Sequence, residues 1–127
     1  MTAAPVPSPR TAPAVPRRVV LAVVSLAALA GAIVLIGPVA LALWLLPDVA
    51  LLLGINREFG DQGRLAPRAV PAYNALHALP GPFVLGAIAA ATANPFLAGL
   101  ALVWLSHVTG DRAMGYGLRT REGWQRG

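Results

Sequence analysis

The sequence predicts an all-α membrane protein, a four-helix transmembrane bundle made of two helical hairpins, and two observations lead to this prediction. The first is a pair of long apolar stretches, 19–54 and 69–111, each long enough to cross a bilayer twice. The second is that all ten basic residues are arginines, which lie before, between and after these stretches. Because cytoplasmic loops collect arginine and lysine, both termini and the central loop are expected to be cytoplasmic.

The composition indicates that lipid is the solvent for most of the surface. The 127 residues are 57% hydrophobic and 12% charged, whereas about one quarter of a typical soluble domain is charged. The formal net charge is +5, but the arginines flank apolar segments and form no basic helix face, which excludes a nucleic-acid-binding surface. Headgroups of the lipid bilayer are the expected counter-charge. The absence of cysteine excludes disulfides, thiolate chemistry and cysteine-based metal sites.

The first hairpin follows a proline-rich segment. Residues 1–16 carry five prolines and are expected to form a disordered cytoplasmic tail. The membrane domain is expected over residues 17–118, and its first two spans over 19–36 and 39–54 are joined by a tight turn at Gly37-Pro38. Residues 119–127 are expected to form a basic cytoplasmic tail. The protein is therefore placed in the inner cell membrane as a multi-pass protein.

The second hairpin carries a predicted kink. Pro80-Gly81-Pro82 interrupts the third span and predicts a kink at 79–82, because proline removes a backbone hydrogen bond and clashes with the preceding turn. Residues 92–94 form an uncharged outer turn, and the fourth helix is expected to run from Pro95 to about Met114. Trp44 and Trp104 are interpreted as packing or interfacial aromatics.

Two alternatives concern the whole chain. Arg17-Arg18 ahead of an apolar run, followed by small residues at 28–32, also describes a signal peptide, whose cleavage would leave three spans. In the uncleaved chain, the abundant Ala and Gly of the spans permit close helix contact. Because four short helices bury little interior, assembly into a homo-oligomer, with a dimer as the simplest form, is a further hypothesis.

Ionisable residues inside the predicted spans are the candidates for function, because such groups are costly in lipid and usually face a bundle interior or a cavity. Four of them, Asp48, His77, His107 and Asp111, are expected to lie in the cytoplasmic half of the bilayer, from a helical rise of about 1.5 Å per residue. Two of them, His107 and Asp111, are spaced i,i+4 and share a helix face. The full candidate cluster comprises Asp48, Tyr73, Asn74, His77, His107, Asp111 and Arg112.

Three functions are open for this cluster. The leading interpretation is a buried polar network with a structural or partner-binding role. Asp48, His77, His107 and Asp111 also suit Zn²⁺, Mn²⁺ or Fe²⁺ as ligands. That set would make a membrane-embedded metal-dependent hydrolase, in which Tyr73 or Asn74 orients substrate or water. A carboxylate near an imidazole can instead relay protons in a small proton-coupled transporter. The spacing matches no specific metal motif, so the sequence leaves enzymatic activity undecided.

Three blocks of residues in the predicted spans form a recognisable pattern. The blocks are Leu46-Pro47-Asp48, Tyr73-Asn74-x-x-His77 and Trp104-Leu105-x-His107-x-x-x-Asp111-Arg112-x-x-Gly115-Tyr116-Gly117-Leu118. Together they resemble the domain of unknown function 4260 family of small bacterial integral membrane proteins, over about residues 18–118. The resemblance implies a four-helix membrane protein with these polar positions as its hallmark, and it supplies no reaction.

Glycines end the last predicted helix. Gly115 and Gly117 allow positive φ angles, so the chain is expected to turn there and to lay Tyr116 and Trp124 on the membrane interface. The alternative is a loop that closes over the polar cluster from the cytoplasm.

Overall fold

The computed structural model describes residues 15–49 and 64–126, and over these ranges the protein is all-helical. Five α-helices are present in the described part, together with short 3₁₀ turns at Leu46–Asp48 and Pro67–Ala69. Most of the predicted N-terminal tail, the charged central loop and the end of the predicted second span lie outside the described residues. The helices are α1 (Val15–Ile36), α2 (Val39–Leu43), α3 (Val70–His77), α4 (Pro80–Ala91) and α5 (Pro95–Ala113).

Helix α1 is apolar along most of its length, and the residues that it buries are small. Its buried residues are Ser25, Ala28 and Ala32, whereas Val34 is 85% exposed. Only 11% of its most apolar window is buried, so α1 is not the core helix of a soluble fold. A contiguous exposed apolar surface of this kind is typical of a membrane or partner interface.

One helix of the described chain, α1, has the length and composition of a membrane span. A second span is present only if α3 with its preceding turn and α4, which are bent by 47° at their break, are counted together. The predicted four-span bundle is therefore not confirmed. The physical reason is that α2 has only five residues and that α5 carries its ionisable residues in its second half.

The most extensive helix contact is between α1 and α5. Small residues allow the two backbones to approach closely, since a Cβ atom at Gly99 would lie 2.4 Å from Ile36 Cγ2. Ala32 of α1 and Val103 of α5 are buried in one apolar cluster with Ala40 of α2. This contact, called the α1–α5 seam below, fixes the position of α5 and of the polar residues on it.

Helix α5 starts at Pro95 and stops just before Met114, as predicted. Asn94 caps its start, because the Asn94 side-chain oxygen accepts the backbone N–H groups of Phe96 and Leu97 at 3.0 and 3.1 Å. At the other end, Arg18 Nε donates to the carbonyl oxygen of Ala113 at 2.8 Å. The start of α1 is thereby tied to the end of α5.

Two breaks in the helical path bring the chain toward α5. Gly37, with φ of +76°, makes the predicted turn after α1. The predicted second span then appears as the short α2 followed by the 3₁₀ turn, because Pro47 has no N–H with which to continue an α-helix. The predicted kink is present: α3 ends at His77, Ala78 is extended, and α4 begins at Pro80.

The predicted basic tail is folded in its described part. Gly115, just before the tail, takes a φ of +90°. Within the tail, Arg119 and Gln125 form an antiparallel bridge that closes residues 119–125 into a loop. This C-terminal loop packs on the segment before α3, where the N–H of Leu65 donates to the carbonyl oxygen of Gly123 at 2.9 Å. Gly123 is required there, since a Cβ would overlap the Leu65 carbonyl.

Candidate metal centre

Two histidines and two aspartates converge from three separate segments of the chain. Asp48 comes from the 3₁₀ turn, His77 from the last residue of α3, and His107 and Asp111 from consecutive turns of α5. One ligand atom from each lies within 4.8 Å of all the others. The structure thus brings together the four ionisable residues that the sequence singled out, and they are called the His₂Asp₂ cluster below.

The distances from each imidazole Nε2 to the two carboxylates and to the other imidazole are short and nearly equal. His77 Nε2 lies 3.2 Å from Asp48 Oδ1 and 3.5 Å from Asp111 Oδ2. His107 Nε2 lies 3.3 and 3.4 Å from the same two oxygens. The two Nε2 atoms are 3.2 Å apart. An ion with four ligands at about 2.0–2.1 Å holds neighbouring ligand atoms about 3.3–3.4 Å apart in a tetrahedron, so these separations fit a four-coordinate ion.

Both imidazoles present Nε2 to the centre because Nδ1 of each is bonded to a backbone carbonyl. His77 Nδ1 lies 2.8 Å from the Tyr73 carbonyl oxygen, and His107 Nδ1 lies 2.7 Å from that of Trp44. A carbonyl oxygen only accepts, so Nδ1 carries the proton in each ring and Nε2 of the neutral ring keeps a lone pair. Histidine metal ligands generally show this arrangement, since the second bond fixes the tautomer and the ring orientation.

Proline accounts for one of these carbonyl partners. In a continuous α-helix the N–H of Asp48 would bond to the carbonyl of Trp44. Beside Pro47 the chain tightens into a 3₁₀ turn, and Asp48 N–H bonds instead to the carbonyl of Leu45 at 3.1 Å. The carbonyl of Trp44 is therefore left to accept from His107.

A second proline has a comparable effect at the break between α3 and α4. Pro80 lacks the N–H that would bond to the carbonyl of Leu76. The indole Nε1 of Trp104 donates to that carbonyl at 2.5 Å instead. The Trp104 ring lies against Gly81, where a Cβ would come within 2.5 Å of it. Trp104 on α5 thereby holds the end of α3, and with it His77, beside His107.

The cluster is closed on its imidazole side and open on its carboxylate side. The side chains of His77 and His107 are 3% and 0% exposed, whereas those of Asp48 and Asp111 are 36% and 17% exposed. Exposed carboxylates allow water or another ligand to approach the centre without displacing a histidine. The protein side of the site is therefore rigid, and its other side is accessible.

Tyr73 and Asn74, which the sequence suggested as groups that orient a substrate or water, both have partners outside the four ligands. The Tyr73 ring stacks on the ring of His77, with centroids 3.9 Å apart and planes inclined by 12°. The Asn74 amide instead pairs with the backbone of Arg119, donating at 2.9 Å and accepting at 2.7 Å. The backbone of Arg119 thus satisfies both ends of the Asn74 amide.

Arg112 lies behind the cluster and outside it. Its Nη2 atom is 3.4 Å from the carbonyl oxygen of His77, and its Nε is buried with no hydrogen-bond partner among the described residues. The Arg119 guanidinium lies 4.9 Å from the centroid of the Tyr73 ring. The C-terminal loop thus contacts Tyr73, which stacks on His77. Of the two aromatic residues expected at the membrane interface, Trp124 packs beneath Arg64 and Tyr116 is exposed.

Sequence reasoning missed a group of residues behind His107. Trp44 Nε1 donates to Ser106 Oγ at 3.1 Å, and its ring centroid lies 4.6 Å from that of His107. Ser25 of α1 donates to the carbonyl oxygen of Ser106 at 2.7 Å. The position of Trp44 three residues before Pro47 was a usable signal, because in a 3₁₀ turn the Trp44 carbonyl would pair with the N–H of residue 47, which proline lacks.

Residues 17–127 match a family model described as domain of unknown function (DUF4260), which covers most of the chain and confirms the resemblance drawn from the sequence. No curated protein and no solved structure matches the chain significantly.

Proposed function

The chain belongs to the DUF4260 family, and we propose that it is an integral membrane protein that binds one divalent transition-metal ion through the His₂Asp₂ cluster. The observation that carries this proposal is the fixed orientation of the two imidazoles, whose Nδ1 atoms bond to carbonyl oxygens at 2.8 and 2.7 Å. Two lone pairs and two carboxylates then face one another, and one cation among them would satisfy all four acceptors at this short range. Zn²⁺ is the first candidate because it favours four nitrogen and oxygen ligands in a tetrahedron, and Mn²⁺ and Fe²⁺ are the alternatives.

A metal-free polar network accounts for the same geometry less completely. Without an ion, the centre must be held by protons on Nε2 of His77 or His107. One proton satisfies a single pair of acceptors. With two protons, His77 and His107 can each donate to a carboxylate, at 3.2 and 3.4 Å, but two positively charged N–H groups then lie side by side with their Nε2 atoms 3.2 Å apart. A metal ion satisfies all four side chains at once. The metal-bound state is therefore the one that this arrangement suits best.

The proposal includes a four-helix bundle in the lipid bilayer with both chain termini in the cytoplasm. The exposed apolar face of α1 and the bent α3–α4 pair support membrane insertion. The contacts of α1 support its retention in the mature protein rather than its removal as a signal peptide. Ser25 reaches Ser106 behind the cluster, and Arg18 caps α5.

Metal analysis of the full chain, purified in a mild detergent without added metal, tests this function. We expect about one Zn²⁺, Mn²⁺ or Fe²⁺ per chain and a rise in Tm when that metal is added, because an ion that binds only the folded state stabilises it by mass action. Asp111→Asn keeps the size of the side chain and should lose both the metal and the rise in Tm.

Thr109→Ala is the matched control for that variant. Thr109 is buried on the same turn of α5, and its hydroxyl donates to the carbonyl oxygen of Leu105 at 2.7 Å and not to the cluster. It should retain metal like the native chain. A folded native protein that binds none of the three metals, and whose Tm does not respond to them, would establish the metal-free network or a proton relay instead.

Metal-dependent hydrolysis is the second candidate function, and the partial exposure of Asp48 and Asp111 favours it. An ion that expands from these four ligands to five can bind a water molecule, lower the pKa of that water and supply a nucleophile near neutral pH. The test is hydrolysis of p-nitrophenyl acyl esters in detergent by the metal-loaded chain. Equal rates for the native protein and Asp111→Asn would remove hydrolysis as a function and leave the metal site intact.

A further inference from the structure

A partly enclosed pocket of about 210 Å³ lies beside the His₂Asp₂ cluster. Leu43 of α2, Leu85 of α4 and Leu100 of α5 contribute to its walls, and every other lining side chain is also apolar. The Trp104 indole is the one lining group with a polar hydrogen, and its N–H already donates to the carbonyl of Leu76. The pocket therefore offers no hydrogen bond from its described side chains to a polar ligand.

The walls of this pocket continue directly into the metal-binding residues. Pro47 and Leu76 line it and immediately precede Asp48 and His77 in the chain. Val103 also lines it and lies one helical turn before His107 on the same face of α5. Three of the four cluster residues are thus attached to a pocket wall.

The pocket extends away from the exposed carboxylates. Along α5, Asp111 lies one turn beyond His107, whereas the lining residues Val103 and Leu100 lie about 6 and 10 Å before it. A ligand that occupies both the pocket and the cluster is consequently apolar at one end and polar at the other. Its apolar end lies along α5 toward Leu100, and its polar end reaches the centre beside Asp48, the more exposed carboxylate, which follows the lining residue Pro47.

The size of the pocket selects among apolar ligands. Sites for drug-sized molecules usually measure about 300–1,000 Å³, so a pocket of about 210 Å³ suits a narrow, unbranched chain better than a ring system. We propose that this pocket binds the alkyl chain of a single-chain amphiphile whose polar end, a carboxylate or an acyl carbonyl, ligates the metal ion. This inference rests on the proposed metal site and adds to it the class of ligand.

Alkyl hydroxamates test the inference, since the hydroxamate group ligates metal and the chain length can be varied. The full chain is loaded with Co²⁺ in detergent, and the change in its visible absorption reports binding of acetohydroxamate, hexanohydroxamate and decanohydroxamate. Leu85→Trp fills the pocket. Ala87→Trp is the control, because Ala87 is on the same helix but lines a different apolar groove beside Phe83 and Leu105.

We expect Leu85→Trp to weaken decanohydroxamate by about tenfold relative to Ala87→Trp, equivalent to the loss of roughly two buried methylene groups. Acetohydroxamate should bind both variants equally, because it reaches the metal without entering the pocket. Partition of long chains into micelles raises their apparent affinity for both proteins alike, so the ratio between the variants is the quantity that matters. Leu100→Phe, a smaller change in the same pocket, should give the same pattern if Leu85→Trp does not fold.

The outcomes separate the two proposals. If Co²⁺ and acetohydroxamate bind but decanohydroxamate does not distinguish the pocket variants from Ala87→Trp, the alkyl-chain inference is wrong and the metal site stands. If decane competes with decanohydroxamate as well as decanoate does, the pocket binds chains without regard to a metal-ligating end, and the inference is again overturned. If Co²⁺ gives no spectrum in the folded native chain, both proposals are wrong.

Discussion

The α1–α5 seam and the His₂Asp₂ cluster lie on the same helix, α5, and they are built by opposite means. In the seam, regular helices approach closely through small residues such as Ala32 and Gly99. In the cluster, Pro47 and Pro80 interrupt the helices and leave two backbone carbonyl groups without their helical partners. The carbonyl of Trp44 then accepts from His107, and that of Leu76 accepts from Trp104. Regular packing therefore fixes where α5 lies, whereas departures from regularity decide which of its residues can do chemistry.

The two regions are coupled through the register of α5. Gly110 faces α1, where a Cβ would lie 3.0 Å from Ser25 Oγ, and its neighbours His107 and Asp111 face the cluster. A change in the seam therefore lowers the stability of the whole arrangement. A change at the breaks should mainly alter how tightly the centre holds a metal ion. A variant in the seam should therefore mainly change Tm, whereas a variant at the breaks should mainly change metal affinity.

The largest effect on stability is expected from Gly99→Leu in the seam. Even a Cβ at this position would lie 2.4 Å from Ile36 Cγ2, so a larger side chain must push α1 and α5 apart. Overpacking of this kind lowers the free energy of unfolding by about 1–3 kcal/mol. Thermal unfolding in detergent should show a lower Tm, while metal added in excess still binds at the native ratio.

Gly86→Ala on α4 is the control for that variant. Its Cβ would have Ala101 Cβ as its nearest neighbour, at 3.9 Å, which is ordinary contact. Replacing glycine with alanine within a helix raises stability by about 0.5–1 kcal/mol when the space is open. If both variants lower Tm equally, close approach at Gly99 is not what holds α1 against α5.

A smaller loss of stability but a larger loss of metal affinity is expected from Trp104→Phe at the break. The substitution removes the indole N–H from the carbonyl of Leu76, and Pro80 provides no backbone donor in its place. The free energy of unfolding should fall by about 1–2 kcal/mol. Because Leu76 precedes His77, the imidazole loses support and metal dissociates more readily, which competition with a chelator measures. Native metal affinity in this variant would mean that the break does not position His77.

The sequence predicted the parts of this architecture that depend on local signals. Glycine and proline located the turn at Gly37-Pro38, the kink before Pro80 and the start of α5. The spacing of His107 and Asp111 also placed both on one face, since helix geometry alone decides it. These features need only a few neighbouring residues, and for that reason they can be recognised without a structure.

The partners of the polar groups could not be predicted in the same way. Asn74 shares a helix face with His77, yet its amide pairs with Arg119, 45 residues away. Trp44 was interpreted as a packing or interfacial aromatic, and its backbone carbonyl also accepts a hydrogen bond from His107. Both outcomes depend on long-range placement of backbone groups, which periodicity and composition do not contain. The number of membrane spans could be predicted only in part. Charge and hydropathy indicate four spans, whereas helix length and continuity support one or two.

The smallest effect is expected from Ser25→Ala, which lies where the two regions meet. Ser25 Oγ donates to the Ser106 carbonyl at 2.7 Å, but Thr109 also donates to that carbonyl, and Trp44 still donates to Ser106 Oγ. No buried group loses its last partner, so unfolding should become easier by about 0.6 kcal/mol, the average for side-chain hydrogen bonds between membrane helices. Metal affinity should not change, because Ser25 belongs to the seam. If metal binding were instead tenfold weaker in this variant, Ser25 would help to position His107. Helix α1 would then contribute to the metal site as well as to the stability of the fold.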